Sequence, residues 1–170
     1  MTAARPVAQV LVAGLGNAWL RDDGFGGVVA RALQQRALPA GVAVMDAGTS
    51  GLDLAYEVLR GYQALVLVDA SRQGGAPGTL YVMEPEREEF AAALQDGERI
   101  DPHSMDPRTV LRLVRATGGW PAAVRVVACE PAEVDEPGIA FSAAVQAAVE
   151  PAVALVLETV AELQAPAAVP

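Results

Sequence analysis

Three side chains in this sequence could do chemistry together: Asp23, Asp69 and His103. Two carboxylates and one imidazole form a donor set suited to a divalent transition metal, and three protein ligands leave coordination positions open for a group brought by a partner. If a metal such as zinc is held, ligand distances near ~2.0–2.2 Å are expected. A carboxylate can also take a proton from water as a general base. Each residue has an ordinary reading as well. Asp22 and Asp23 can cap a helix and complement its dipole. Asp69 can solvate a loop, and a lone histidine ahead of a helix can be a cap or a surface residue.

Whether the three can meet depends on the elements that carry them. In open α/β sheets ligands bind outside the carboxyl ends of the strands, and all three residues fall at such places. Residues 7–13 (VAQVLVA) are a short Val-rich run closed by Gly14, as expected of a strand buried on both faces. Phe25, Val28, Val29, Ala32 and Leu33 then recur at helical spacing, with Asp22 or Asp23 ahead and Pro39 beyond. Asp23 therefore lies in the loop after the first strand. A second strand is expected over 42–45 and a second helix over 52–59, and Asp69 ends a third strand, ALVLV at 64–68.

Farther on, TLYVM at 79–83 alternates and reads as an edge strand of undetermined direction. A charged helix is expected over 86–94, an amphipathic helix over 107–116 after His103, a last strand over 124–128 and a final helix over 141–163 kinked by Pro151. Strands alternating with helices imply an open, largely parallel sheet between two helical layers. Residues 1–163 read as one domain, with 164–170 a fraying tail.

Composition narrows the function. A chain of 170 residues, 52% hydrophobic and 19% charged, can bury a core without disulfides. Its net charge of −9 disfavours nucleic acid and anionic membrane surfaces as partners. The single cysteine, Cys129, ends a predicted strand and reads as an inert buried thiol in a reducing compartment. The amino-terminal apolar run is too short for a signal peptide, and a membrane span is not expected, so the cytoplasm is the expected location. A Ser-His-Asp arrangement, a nucleophile elbow at GTSGL, an HExxH helix and a Walker motif all fail on sequence. A dinucleotide site is the competing reading, since Gly14 and Gly16 follow the first strand and Asp46 ends the second. Against it, Trp19 replaces the third glycine, and Asp22 and Asp23 put negative charge where a pyrophosphate would dock.

Five segments in order resemble one family. GLGNAWLRDDGFGGVVARAL (14–33), DAGTSGLDL (46–54), LVLVDA (65–70), PGTLYV, and PHSMDPRTVL with a later GGWP are similar to the motifs of the hydrogenase maturation proteases, from about Val10 to Val160. The resemblance implies a single-domain three-layer α/β sandwich with a twisted, mostly parallel five-stranded sheet. It also implies an endopeptidase that removes the C-terminal extension of a nickel-loaded [NiFe]-hydrogenase large subunit, cutting after a basic or His residue. The family's nickel-binding acid, Asp and His carry over to Asp23, Asp69 and His103, although the first is often Glu and Asp23 is one methylene shorter. Nickel is expected to arrive with the substrate, other divalent metals being able to substitute. Asp23 or Asp69 is expected to activate the attacking water.

Gly48, Thr49, Ser50 and Gly51 are expected to offer backbone to the extended substrate tail, as in strand addition. The expected partner is the large-subunit precursor, met by a monomer. A non-cleaving, nickel-dependent chaperone would use the same residues. The sequence does not name the hydrogenase or the attacking nucleophile.

Overall fold

The computed structural model describes residues 9–90 and 107–166. Five strands form one sheet in the order β2-β1-β3-β5-β4. β1 is Val10–Leu15, β2 Val42–Gly48, β3 Ala64–Ala70, β4 Leu80–Met83 and β5 Ala123–Cys129. β1, β2, β3 and β5 run parallel, and β4 pairs antiparallel with β5. The helices are α1 Phe25–Gln34, α2 Gly51–Val58, α3 Pro107–Ala116 and α4 Ala143–Gln164.

The apolar runs explain the layers. In β1, Val10 and Val12 face one cluster while Leu11, Ala13 and Leu15 face the other, and in β3 Val66 and Val68 oppose Leu65 and Leu67. This two-residue period sends alternate side chains to opposite faces. The first face is covered by α1 and α4 through Phe25, Val29, Leu33, Val149, Val153 and Val156. The second is covered by α2 and α3 through Leu54, Val58, Val110, Leu111 and Val114. The central strands β1 and β3 are buried almost throughout, whereas the edge strands β2 and β4 are mostly half-buried.

α1 can sit close to the sheet only because two glycines let it. A Cβ on Gly14 would lie 2.1 Å from the Gly26 carbonyl oxygen, and one on Gly26 2.1 Å from that of Val68. Both distances are far inside van der Waals contact, so the Gly-rich start of α1 is a packing device.

Several boundaries differ from expectation. Of the charged helix expected over 86–94, the described residues hold a 3-10 turn at Arg87–Phe90, and 91–94 lie outside them. The tail was expected to fray from Gln164, yet α4 includes that residue and its side-chain amide donates to the Ala40 carbonyl at 2.8 Å. α4 runs unbroken through Pro151. It is also long and apolar enough to cross a membrane, contrary to expectation. Its Val145, Val149, Val153, Val156 and Val160 face, however, packs into the core, as a central helix of a folded domain does.

Candidate active site

The sheet's topology singles out one place. From β1 the chain passes through α1 to β2 on one side, then returns through α2, on the opposite face, to β3 on β1's other side. Loops leaving β1 and β3 therefore diverge and leave a crevice between them, where open α/β sheets bind ligands. A cleft of about 370 Å³ lies there. Its walls come from the β1 loop through Gly16, Asn17, Leu20 and Asp23, and from the β2 loop through Thr49. The end of β3 adds Asp69 to Arg72, and the start of α3 adds Pro107.

Gly16 is the pivot. Its φ is +117°, and a Cβ there would lie 1.8 Å from the Asp23 carbonyl oxygen and 3.4 Å from Asp69 Oδ1. The backbone of one acid and the carboxylate of the other thus close on the same glycine, which only a residue without a side chain allows. The Asn17 N–H donates to Asp23 Oδ2 at 2.8 Å and orients that carboxylate. Asp69 is buried at the strand end.

Asp22 takes a different direction. Arg21 has φ 50°, in the left-handed region, and the turn it makes sends Asp22 inward, where it is fully buried. Its carboxylate accepts from the backbone N–H groups of Ala132, Glu133 and Ser142 at 2.8–2.9 Å and from the Ser142 hydroxyl at 2.9 Å. Burial works to raise its pKa, but the donors from Glu133, Ser142 and Ala132 together outweigh burial and hold it below its ordinary value. Neither acid caps α1: its N-cap is Gly24, without a side-chain cap bond.

One residue of the glycine loop after β2 reaches the cleft. Thr49 lines the cleft. Gly48 does not present a free backbone: its carbonyl accepts from Gly16 N–H at 2.9 Å and its N–H donates to Asp46 Oδ1 at 3.2 Å. The Ser50 N–H donates to the Ala47 carbonyl, its hydroxyl donates to Asp53, and Gly51 is buried at the start of α2. The Gly48 carbonyl thus ties this loop to the one after β1. Asp46, placed where a ribose-binding acid would be, is paired with Arg31.

Sequence reading missed the wall beyond Asp69. Ser71 and Arg72 line the cleft, and Arg72 is the only basic residue among the described ones that do. Its guanidinium donates to Asp135 at 2.7 Å, which raises its pKa. The same loop is held by buried Glu130, which accepts from Gln73 N–H at 2.8 Å, Gly74 N–H at 3.3 Å and the Tyr81 hydroxyl at 3.1 Å. Those donors, Gln73 N–H foremost, keep the Glu130 carboxyl below its usual range. A glutamate ending an apolar strand is the signal that could have found it.

The structure brings Asp23 and Asp69 to one cleft, while His103 lies outside the described residues. Among the described residues, no three His, Cys, Asp or Glu side chains gather as metal ligands. Cys129 is buried, and burial pushes its pKa up to about 11, so it is a neutral thiol in the core and not a ligand in the cleft. Two hard carboxylates suit a divalent ion that brings its other ligands with it.

Fold and cleft together define a three-layer α/β protein with an acidic site at the switch point of its sheet. The hydrogenase maturation protease family matches residues 28–159, and the chain belongs to it. Hydrogenase expression/formation protein HupM of Azotobacter chroococcum mcd 1 is 34% identical over 163 residues, covering 95% of this chain and 75% of the relative. The hydrogenase 2 maturation protease of Escherichia coli (strain K12) is 34% identical over 156 residues, 91% of this chain and 92% of its own. Among solved structures, the hydrogenase maturating endopeptidase HybD from E. coli aligns with a TM-score of 0.73 at 28% identity, covering 92% of this chain and 94% of that one. The hydrogenase 2 maturation peptidase from Thaumarchaeota archaeon SCGC_AB-539-E09 aligns at 0.67 with 32% identity, covering 89% and 97%. The protein is accordingly a peptidase of the α/β class that its relatives share.

Proposed function

We propose that this peptidase removes the C-terminal extension of a [NiFe]-hydrogenase large-subunit precursor after nickel has been inserted, acting in the cytoplasm as a monomer. Convergence of Asp23 and Asp69 on one cleft at the switch point carries this reading. The cleft has two carboxylates and no thiolate among its described residues, a set that holds a free transition metal weakly. Nickel is then part of the substrate, already bound by the large subunit's cysteines, and it completes its coordination on Asp23, Asp69 and His103. So placed, it would polarise the peptide carbonyl or the attacking water. Asp23 or Asp69 takes the water's proton, and Asn17 holds the Asp23 carboxylate in position for it. Thr49 borders the path of the peptide.

The test is to incubate the purified protein with nickel-loaded and nickel-free large subunit and to weigh the products. Only the loaded form should lose its extension, and pre-loading the peptidase with nickel should not rescue the other. His103→Ala should abolish processing. Efficient cleavage of nickel-free large subunit would overturn nickel recognition, and an unchanged mass in every arm would leave a binding role without proteolysis.

A further inference from the structure

Ser71 and Pro107 have a second face. Beyond them opens another pocket, of about 470 Å³, which these two residues share with the acidic cleft. The antiparallel edge strand builds one side of it: β4 pairs Met83 with Val126 of β5, and both line the pocket. α3 builds the other, since Pro107 and Leu111 are four residues apart on one helical face. Phe90, Leu111 and Val126 are buried members of the core cluster beneath, so the floor is apolar.

Three charged residues stand around it: Glu84 accepts from Arg125 at 2.8 Å, Glu89 accepts from the Glu86 N–H at 3.2 Å, and the Arg108 guanidinium lies 5.7 Å from the centre of the Phe90 ring. A lining of this kind recognises shape and apolar surface rather than charge. Because one wall separates the two spaces, an extended chain with a peptide group over Asp23 and Asp69 can place a nearby side chain in the second pocket.

We infer that this pocket is a specificity subsite taking a bulky apolar side chain from the peptide whose bond is cleaved in the acidic cleft. The inference rests on the peptidase reading above. It makes β4, Phe90 and the first turn of α3 part of substrate recognition, although none of them carries an acid of the cleft.

The unmodified protein can be tested first. Its four methionines are labelled with ¹³C at the ε-methyl, and a synthetic peptide spanning the C-terminal extension and its flanking residues from the same organism's large subunit is added. The Met83 methyl signal should move and that of Met45, on β2, should not. A peptide with its bulky apolar residues near the cleaved bond replaced by Ala should bind about tenfold more weakly. Met83→Trp, which fills the pocket, should raise the KM for the nickel-loaded precursor about tenfold and erase the difference in binding between the two peptides. A Met83 signal unmoved at saturating peptide, or a Met83→Trp variant with wild-type KM and an unchanged difference in binding, would overturn the subsite. The two readings fail separately. Peptide bound at Met83 with the nickel-loaded precursor left uncut supports the subsite and refutes cleavage; cleavage with Met83 unmoved does the reverse.

Discussion

Two acidic regions meet in the turn Arg21–Gly24, and they differ in what surrounds them. On the inner side Asp22 is fully buried and accepts four hydrogen bonds from the segment joining β5 to α4. On the outer side Asp23 borders the cleft, and among the described residues its carboxylate takes one backbone donor, from Asn17. Adjacent residues of the same chemistry thus divide the work. A carboxylate saturated with donors becomes a structural clasp, while one left with spare acceptor capacity beside another acid can bind a cation or a proton.

Replacing each acid should separate the two roles. Asp22→Ala leaves four part-buried donors without their acceptor, and at about 1–3 kcal/mol for each group that stays unsatisfied, with water reaching some of them, the expected loss is about 2–4 kcal/mol. Urea denaturation measures it. Asp23→Asn should instead lower cleavage of the nickel-loaded precursor about a hundredfold, equivalent to about 2.7 kcal/mol of barrier, and leave the urea midpoint nearly unchanged. A variant pair in which Asp22→Ala is stable and Asp23→Asn unfolds would reverse the comparison.

Acid sharpens it further. The folded pKa of Asp22 is lowered from 3.8, so the unfolded chain binds more protons between the two values and stability rises with pH there. The Asp22 contribution is therefore full above the unfolded value and is lost as pH falls through the folded one. Asp22→Asn should show a flatter stability profile below about pH 5 than the parent protein. The smallest effect is expected at Arg31, whose pair with Asp46 is half-exposed: Arg31→Ala should cost less than about 1 kcal/mol by thermal denaturation, with cleavage within about twofold.

What could be read in advance follows from how local each signal is. β1 and β3 were legible because strands buried on both faces must be continuous apolar runs, and Asp69 stands out at the end of such a run. That one of the pair Asp22–Asp23 faces the site was legible too. Asp22's fate was not, since its partners lie 110–120 residues away in the chain. Glu130 and Arg72 escaped for the same reason, their partners Gln73, Tyr81 and Asp135 lying 49–63 residues away. Gly48 was misread because a turn glycine signals freedom of φ and not whether its backbone will be claimed, here by Gly16 and Asp46.

The clasp also sets the order in which the enzyme can come into being. Closing a contact across more than a hundred residues carries a loop-entropy cost that must be met before any of its hydrogen bonds form. During synthesis the segment ahead of α4 is among the last made, so the turn that presents Asp23 stays unanchored until the carboxyl-terminal quarter has emerged and docked. A chain truncated ahead of Ala132 should therefore lose all four bonds of the clasp, and with them cleavage if Asp23 acts as proposed.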